Sequence, residues 1–200
     1  MARDEVRPKP AVVTRRKTVT HFNAPDDFHE LTFSCQGRRP LLMIPGCMGL
    51  LARAVDAANR NHGFRLHAFV FMPEHVHLLV APLRPQSDVA RLLYAIKRPS
   101  SFRIKQLLAG ADPHRVAELT VTERPGKVAF RFWLEGPGYD RNLTTPEVIR
   151  ASVEYIHNNP VRRGLCREPG EWVWSSWSAY VGGQAPAGAD LPAVEPLVDW

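Results

Sequence analysis

Cysteine is scarce in this sequence: Cys35, Cys47 and Cys166 are the only three in 200 residues. No two form a CxxC pair, so neither a disulfide framework nor a cysteine zinc site organises the fold. Long hydrophobic runs are lacking as well. The longest uncharged apolar-looking stretch, from Pro40 to Ala52, is too short to span a bilayer and contains Pro45, Gly46 and Gly49. No apolar core follows the N-terminal charges, so no secretory leader is expected, and the expected setting is reduced, cytoplasmic and nucleoid-associated. There is no internal repeat. The chain is not short of core-forming residues: 44% are hydrophobic and 23% charged, which excludes a mostly disordered protein.

Acidic residues are outnumbered, 20 to 26, for a net charge of +6. The excess is clustered. Residues 1–17 carry six basic and two acidic side chains, and residues 84–105 carry six and one. Residues 186–200 carry three acidic side chains and no basic one. A clustered positive face points to a polyanionic partner, and nucleic acid is the commonest.

Hydrophobic periodicity divides the chain into a basic flexible arm (1–20), a folded domain (21–180) and a weakly ordered Gly/Ala/Pro-rich tail (181–200). Within the domain the pattern predicts a strand at 29–35, a helix at 46–59, and strands at 65–72 and 75–81 joined as a hairpin. A helix starts at Ser87–Asp88, with a kink or break at Pro99. Residues 109–126 read as a loop, and 128–134 as a fourth strand. Thr144–Glu147 opens a last helix that Pro160 stops near Asn158. This is an α+β plan with a mainly antiparallel sheet and helices packed on it. Its first six elements match the ferredoxin-like sandwich.

His75 and His77 are two apart on a strand, so their imidazoles share one face while Val76, Leu78 and Val80 share the other. Two such rings can converge on a metal ion. Tyr155 and Asn159 are one helical turn apart on the last helix and share a face there. Individually these residues read as incidental strand histidines, a core aromatic and a helix cap. Together they supply two imidazoles and an amide for a divalent ion with open positions, and a phenol that can attack a bound phosphodiester.

The segments MPEHVHLL (Met72–Leu79), FW…YDRN (Phe132–Asn142), YIHNNPVRRGL (Tyr155–Leu165) and EWVWSSWSAY (Glu171–Tyr180) resemble the REP-associated tyrosine transposases of the HUH single-tyrosine superfamily. The resemblance covers about residues 20–180. It implies that His75 and His77 are metal ligands with Asn159 as the third, and that Tyr155 is the nucleophile. It further implies Mg²⁺ or Mn²⁺ as cofactor and hairpin-forming single-stranded DNA as partner. The implied chemistry is cleavage and rejoining through a 5′-phosphotyrosine.

Tyr139, after a Gly-Pro-Gly turn, is the rival nucleophile, although a loop position favours a structural or DNA-contact role. Glu74 reads as a turn residue, with support of the neighbouring histidine as the lesser alternative; His67 reads as structural and His157 as solvent-exposed. Charge nominates Arg91, Lys97, Arg98, Arg103 and Lys105, with Arg162 and Arg163 after the catalytic helix, as DNA contacts. Of Trp172, Trp174 and Trp177, at least two are expected in the core. Two other functions fit the same residues: a domesticated, non-catalytic hairpin binder, and a phosphoesterase that uses water. Monomer and homodimer both remain open, and with them whether Tyr155 serves its own chain's site.

Overall fold

A computed structural model describes residues 27–183 and 190–197. The basic arm expected over residues 1–20 lies outside them. Four strands form one sheet: β1 (Phe28–Ser34), β2 (Phe64–Phe71), β3 (His75–Pro82) and β6 (Tyr139–Leu143), in the order β2-β3-β1-β6. Every neighbouring pair is antiparallel. Helix α1 (Cys47–His62) crosses from β1 to β2, and α2 (Val89–Ala111) leads away from β3. These two pack together on one face of the sheet, while α4 (Pro146–Arg162) lies on the other. The α+β plan with helices on an antiparallel sheet is therefore realised.

Alternation in β3 assigns its faces. Val76, Leu78 and Val80 enter the larger core with Leu51, Val55, Leu92 and Ile96 of α1 and α2. Leu79 enters the smaller core with Val153 and Ile156 of α4. His75 and His77 share Leu79's face, so the imidazoles emerge under α4. β2 is buried on both faces, which explains its unbroken FRLHAFVF run. Its outer edge is covered by residues 174–176: Phe71 N donates to Trp174 O at 2.9 Å, and Ser176 N donates to Phe69 O at 3.0 Å.

Several expectations are corrected. The fourth strand of the main sheet is β6, not residues 128–134. Lys127–Phe130 is β5 of a separate hairpin with β4 (Thr120–Arg124), and α3 (Pro113–Glu118) precedes that hairpin. Residues 109–126 are thus structured rather than a loop, held by an Asp112 cap onto Arg115 N at 3.1 Å.

Helix α2 runs through Pro99 without a break. Ile96 before the proline and Ile104 and Leu108 after it join one core, and the Ser100 hydroxyl donates to Ile96 O at 2.6 Å. Packing on both sides outweighs the one backbone bond that proline removes.

Helix α4 likewise continues past Pro160 to Arg162. The proline falls in the last turn, where the helix already ends on Gly164 at φ 68°, with Leu165 N donating to Pro160 O at 2.9 Å. Finally, the tail is not loose over residues 190–197. Leu191 and Val194 pack on the larger core and Leu197 on the smaller, and Glu195 N donates to Leu66 O at 2.9 Å.

Candidate active site

The register of the sheet builds the floor of the site. His77 of β3 lies opposite Thr32 of β1, which lies opposite Tyr139 of β6. In the next row on the same face, Leu79, Glu30 and Arg141 are aligned. Helix α4, capped by Thr145 onto Val148 N at 3.4 Å, forms the roof and supplies Ser152, Tyr155 and Asn159.

His75 Nε2 and His77 Nε2 stand 3.0 Å apart. Two imidazole lone pairs at this range repel unless a proton or a cation lies between them. The opposite ring nitrogens are already engaged. His75 Nδ1 donates to the Glu74 carboxylate at 3.2 Å, and His77 Nδ1 meets Thr32 Oγ1 at 2.9 Å. A carboxylate can only accept, so His75 keeps its proton on Nδ1 and presents a bare Nε2.

Burial pushes the His77 pKa down to about 3, with the neighbouring His75 adding to the effect. Burial also lowers that of His75, against the opposing pull of Glu74. Both rings are therefore neutral donors at physiological pH, the state that a metal ligand requires.

The Asn159 amide reaches His77 Nε2 at 3.2 Å. A half-turn about its Cβ–Cγ bond exchanges nitrogen for oxygen, so the same reach presents an acceptor to a cation. Among the described residues no three His, Cys, Asp or Glu side chains cluster as a metal site. The donor set that fits a divalent ion is two imidazoles and one amide, which leaves positions for phosphate oxygen and water.

Tyr155 packs its ring edge-on against His77, centroids 5.4 Å apart, and is 36% exposed. Tyr155 and the two histidines thus meet within one chain. The Arg162 guanidinium lies 5.0 Å above the Tyr155 ring. Arg163 instead donates to Glu74 at 2.8 Å, on the same oxygen that receives His75.

The other residues nominated from charge lie elsewhere. Arg91, Arg98, Arg103 and Lys105 are exposed on α2, across the sheet from the histidines. Lys97 donates to Leu134 O at 3.0 Å and Gly136 O at 2.8 Å, and burial lowers its pKa. Its ammonium is tied to backbone carbonyls.

Two groups at the site escaped sequence reasoning, and a third was under-weighted. Glu74 is not merely a turn residue, since it holds His75 and Arg163 together. Thr32 and Glu30 come from β1 and reach the site only through strand pairing. Glu30 accepts from the Ser152 hydroxyl at 3.1 Å and lies 4.0 Å from His77 Nδ1.

Tyr139 is on strand β6 rather than a loop, facing the site and 57% exposed. His157 is fully buried rather than exposed. It bonds Ser176 Oγ at 2.7 Å between the rings of Trp177 and Tyr180, because the C-terminal segment folds back over that side of α4. Trp172 and Trp174 pack on the core as expected, and His67 is structural, bonded to Glu195 O at 2.8 Å.

The fold has counterparts among solved structures. It is similar to that of a REP-associated tyrosine transposase solved bound to a REP hairpin, at TM-score 0.64 and 18% identity over 92% of this chain and 99% of the other. A putative transposase from Deinococcus radiodurans R1 is similar at TM-score 0.42 and 23% identity, over 72% of this chain and 96% of that one. No curated protein matches the chain. Residues 29–114 match the family described as "Transposase IS200 like", a segment that contains both histidines and ends before Tyr155. The likeness to IS200-like transposases is thus carried in sequence by residues 29–114 and in fold by most of the chain.

Proposed function

We propose that the protein is a metal-dependent single-stranded DNA endonuclease and strand transferase. It cleaves near DNA hairpins through a 5′-phosphotyrosine, in transposition or in the mobilisation of repeated palindromes. The observation that carries this reading is the meeting of His75 Nε2, His77 Nε2, the Asn159 amide and the Tyr155 ring under one helix.

A divalent ion, Mg²⁺ or Mn²⁺, held by His75, His77 and Asn159 supplies Lewis-acid polarisation of the scissile phosphate. Tyr155 Oη forms a bond to phosphorus as the bond to the 3′ oxygen breaks. The phenol gives up its proton to solvent, and the departing 3′ oxygen takes one up. The products are a 5′-phosphotyrosine and a free 3′-hydroxyl, so no net water is consumed and reversal rejoins strands. The Arg162 guanidinium packs over the Tyr155 ring, beside the attacking residue.

The test incubates single-stranded hairpin oligonucleotides from the DNA flanking the gene with the protein and Mn²⁺. The readout is a denaturation-resistant protein–DNA band. The band is expected with wild type and Tyr139→Phe and is lost in Tyr155→Phe. Cleavage without a band overturns the covalent step in favour of a water-using phosphoesterase. Firm binding without cleavage under any divalent ion assigns a non-catalytic hairpin binder.

A further inference from the structure

Beside Tyr155, the sheet and α4 enclose a cavity of about 500 Å³ whose lining includes Glu30, Tyr139, Arg141, Glu147, Ser152 and Tyr155. We propose that this cavity is a nucleotide subsite. It receives the base adjoining the scissile phosphate and selects one that bears an amino group. The proposal rests on the strand-transfer reading above and adds to it a determinant of sequence preference.

The lining offers groups for both a base and a phosphate. Tyr139 is 57% exposed on the edge strand and presents an aromatic face to a base. Arg141, exposed two residues on and on the same face, presents a cation to a phosphate. Glu30 is 7% exposed and supplies the third contact.

A buried carboxylate opposes the entry of a polyanion and is costly to bury unless donors meet it. Ser152 supplies one donor, at 3.1 Å to Oε2. Glu30 Oε1 lies 4.0 Å from His77 Nδ1, on the ring edge away from Nε2, so this carboxylate does not ligate an ion held at Nε2. Each carboxylate oxygen accepts two hydrogen bonds, and the one left open in a cavity next to the nucleophile suits a donor from the ligand. The exocyclic amino groups of cytosine, adenine and guanine are such donors, and thymine has none.

The experiment uses hairpin oligonucleotides that carry each of the four bases at every position flanking the cleavage site. Equilibrium binding is measured on Tyr155→Phe protein, alone and combined with Glu30→Gln, Tyr139→Phe, Tyr139→Ala or Arg141→Ala. Covalent adduct is measured on the same changes in the Tyr155 protein. At one flanking position thymine is expected to bind about tenfold more weakly than an amino-bearing base, the scale of one base-edge contact. Glu30→Gln should erase that preference, because a carboxamide both donates and accepts. Tyr139→Ala should weaken all bases about tenfold while Tyr139→Phe does not, as stacking requires. Arg141→Ala should weaken all bases alike and flatten the salt dependence.

Mn²⁺ affinity measured in parallel separates this role from one exerted through His77. Uniform binding at every position, or a Glu30→Gln effect equal for all bases and tracked by lost Mn²⁺ affinity, overturns the subsite. Absence of adduct with a persisting base preference in binding overturns strand transfer but not the subsite.

Discussion

Removing the Glu74 side chain should weaken divalent-ion binding far more than it weakens the fold. Glu74 sits in the turn between β2 and β3. It takes one hydrogen bond from His75 Nδ1 at 3.2 Å and one from Arg163 at 2.8 Å. The first fixes the tautomer that leaves Nε2 bare. The second ties the C-terminal end of α4 to the histidine turn, so the Tyr155 helix and His75 share a brace. A hydrogen bond to a charged group contributes about 1.5–3 kcal/mol, and 1.4 kcal/mol is a factor of ten. Glu74→Ala should therefore raise the Mn²⁺ dissociation constant about 10–100-fold, the range found for groups that orient metal-ligating histidines. The Arg163 guanidinium is 56% exposed, so its ion pair is screened and contributes about 0–1 kcal/mol. Arg163→Ala should accordingly cost no more than about fivefold in Mn²⁺ affinity. Titration of Mn²⁺ by electron paramagnetic resonance gives both constants, and thermal melting in chelator checks that the fold persists. DNA binding as a function of salt checks Arg163 separately. A cation that contacts single-stranded phosphate contributes about 0.7 to the salt slope, whereas one engaged by Glu74 contributes little. Unchanged Mn²⁺ affinity in Glu74→Ala, or a full drop in slope for Arg163→Ala, refutes the brace.

Three further outcomes follow from the same geometry. Gly138 holds φ at 84°, and a Cβ there would lie 2.4 Å from Thr32 O, the residue beside His77; Gly138→Ala should cost about 1–3 kcal/mol, read as a Tm lowered by several degrees, and an unchanged Tm refutes the close approach. His157 is buried, and burial holds its pKa at about 4, against 6.5 for the free side chain. The unfolded chain binds this proton more tightly, so stability is full above pH 6.5 and falls as pH drops towards about 4, by about 3 kcal/mol in total; denaturant titrations of His157→Gln should show a shallower acid loss than wild type. Lys97→Met should lower stability by about 2 kcal/mol through lost bonds to Leu134 and Gly136 and leave the DNA salt slope unchanged, whereas Arg98→Ala and Lys105→Ala should each reduce the slope by about 0.7.

The parts of this molecule legible in its sequence are those where one local pattern suffices. RLHAFVFM and HVHLLVA read as strands because both their surroundings are apolar, and alternation alone puts His75 and His77 on one face. A spacing of four aligns Tyr155 with Asn159 on one helix. Proline does not end a helix at either position where the local rule predicts a break. Pro99 and Pro160 each remove one backbone bond, while the packing of Ile104 with Ile96, and of Asn159 against His77, is tertiary and invisible to a local rule. Strand register is equally invisible. Thr32 meets His77 across 45 positions, and nothing in HELTFS signals it.

The strand that was missed, β6, shows why the gap falls at the site. YDRNL has the polarity of a loop because it is an edge strand with one face open, and that open face carries Tyr139 and Arg141. Its other face buries Asp140 against His29 at 3.0 Å, so even its inward positions are polar. Hydrophobic periodicity finds strands in proportion to how fully they are buried. A strand with one face open to solvent is the least buried of the sheet, and therefore the last that composition can reveal.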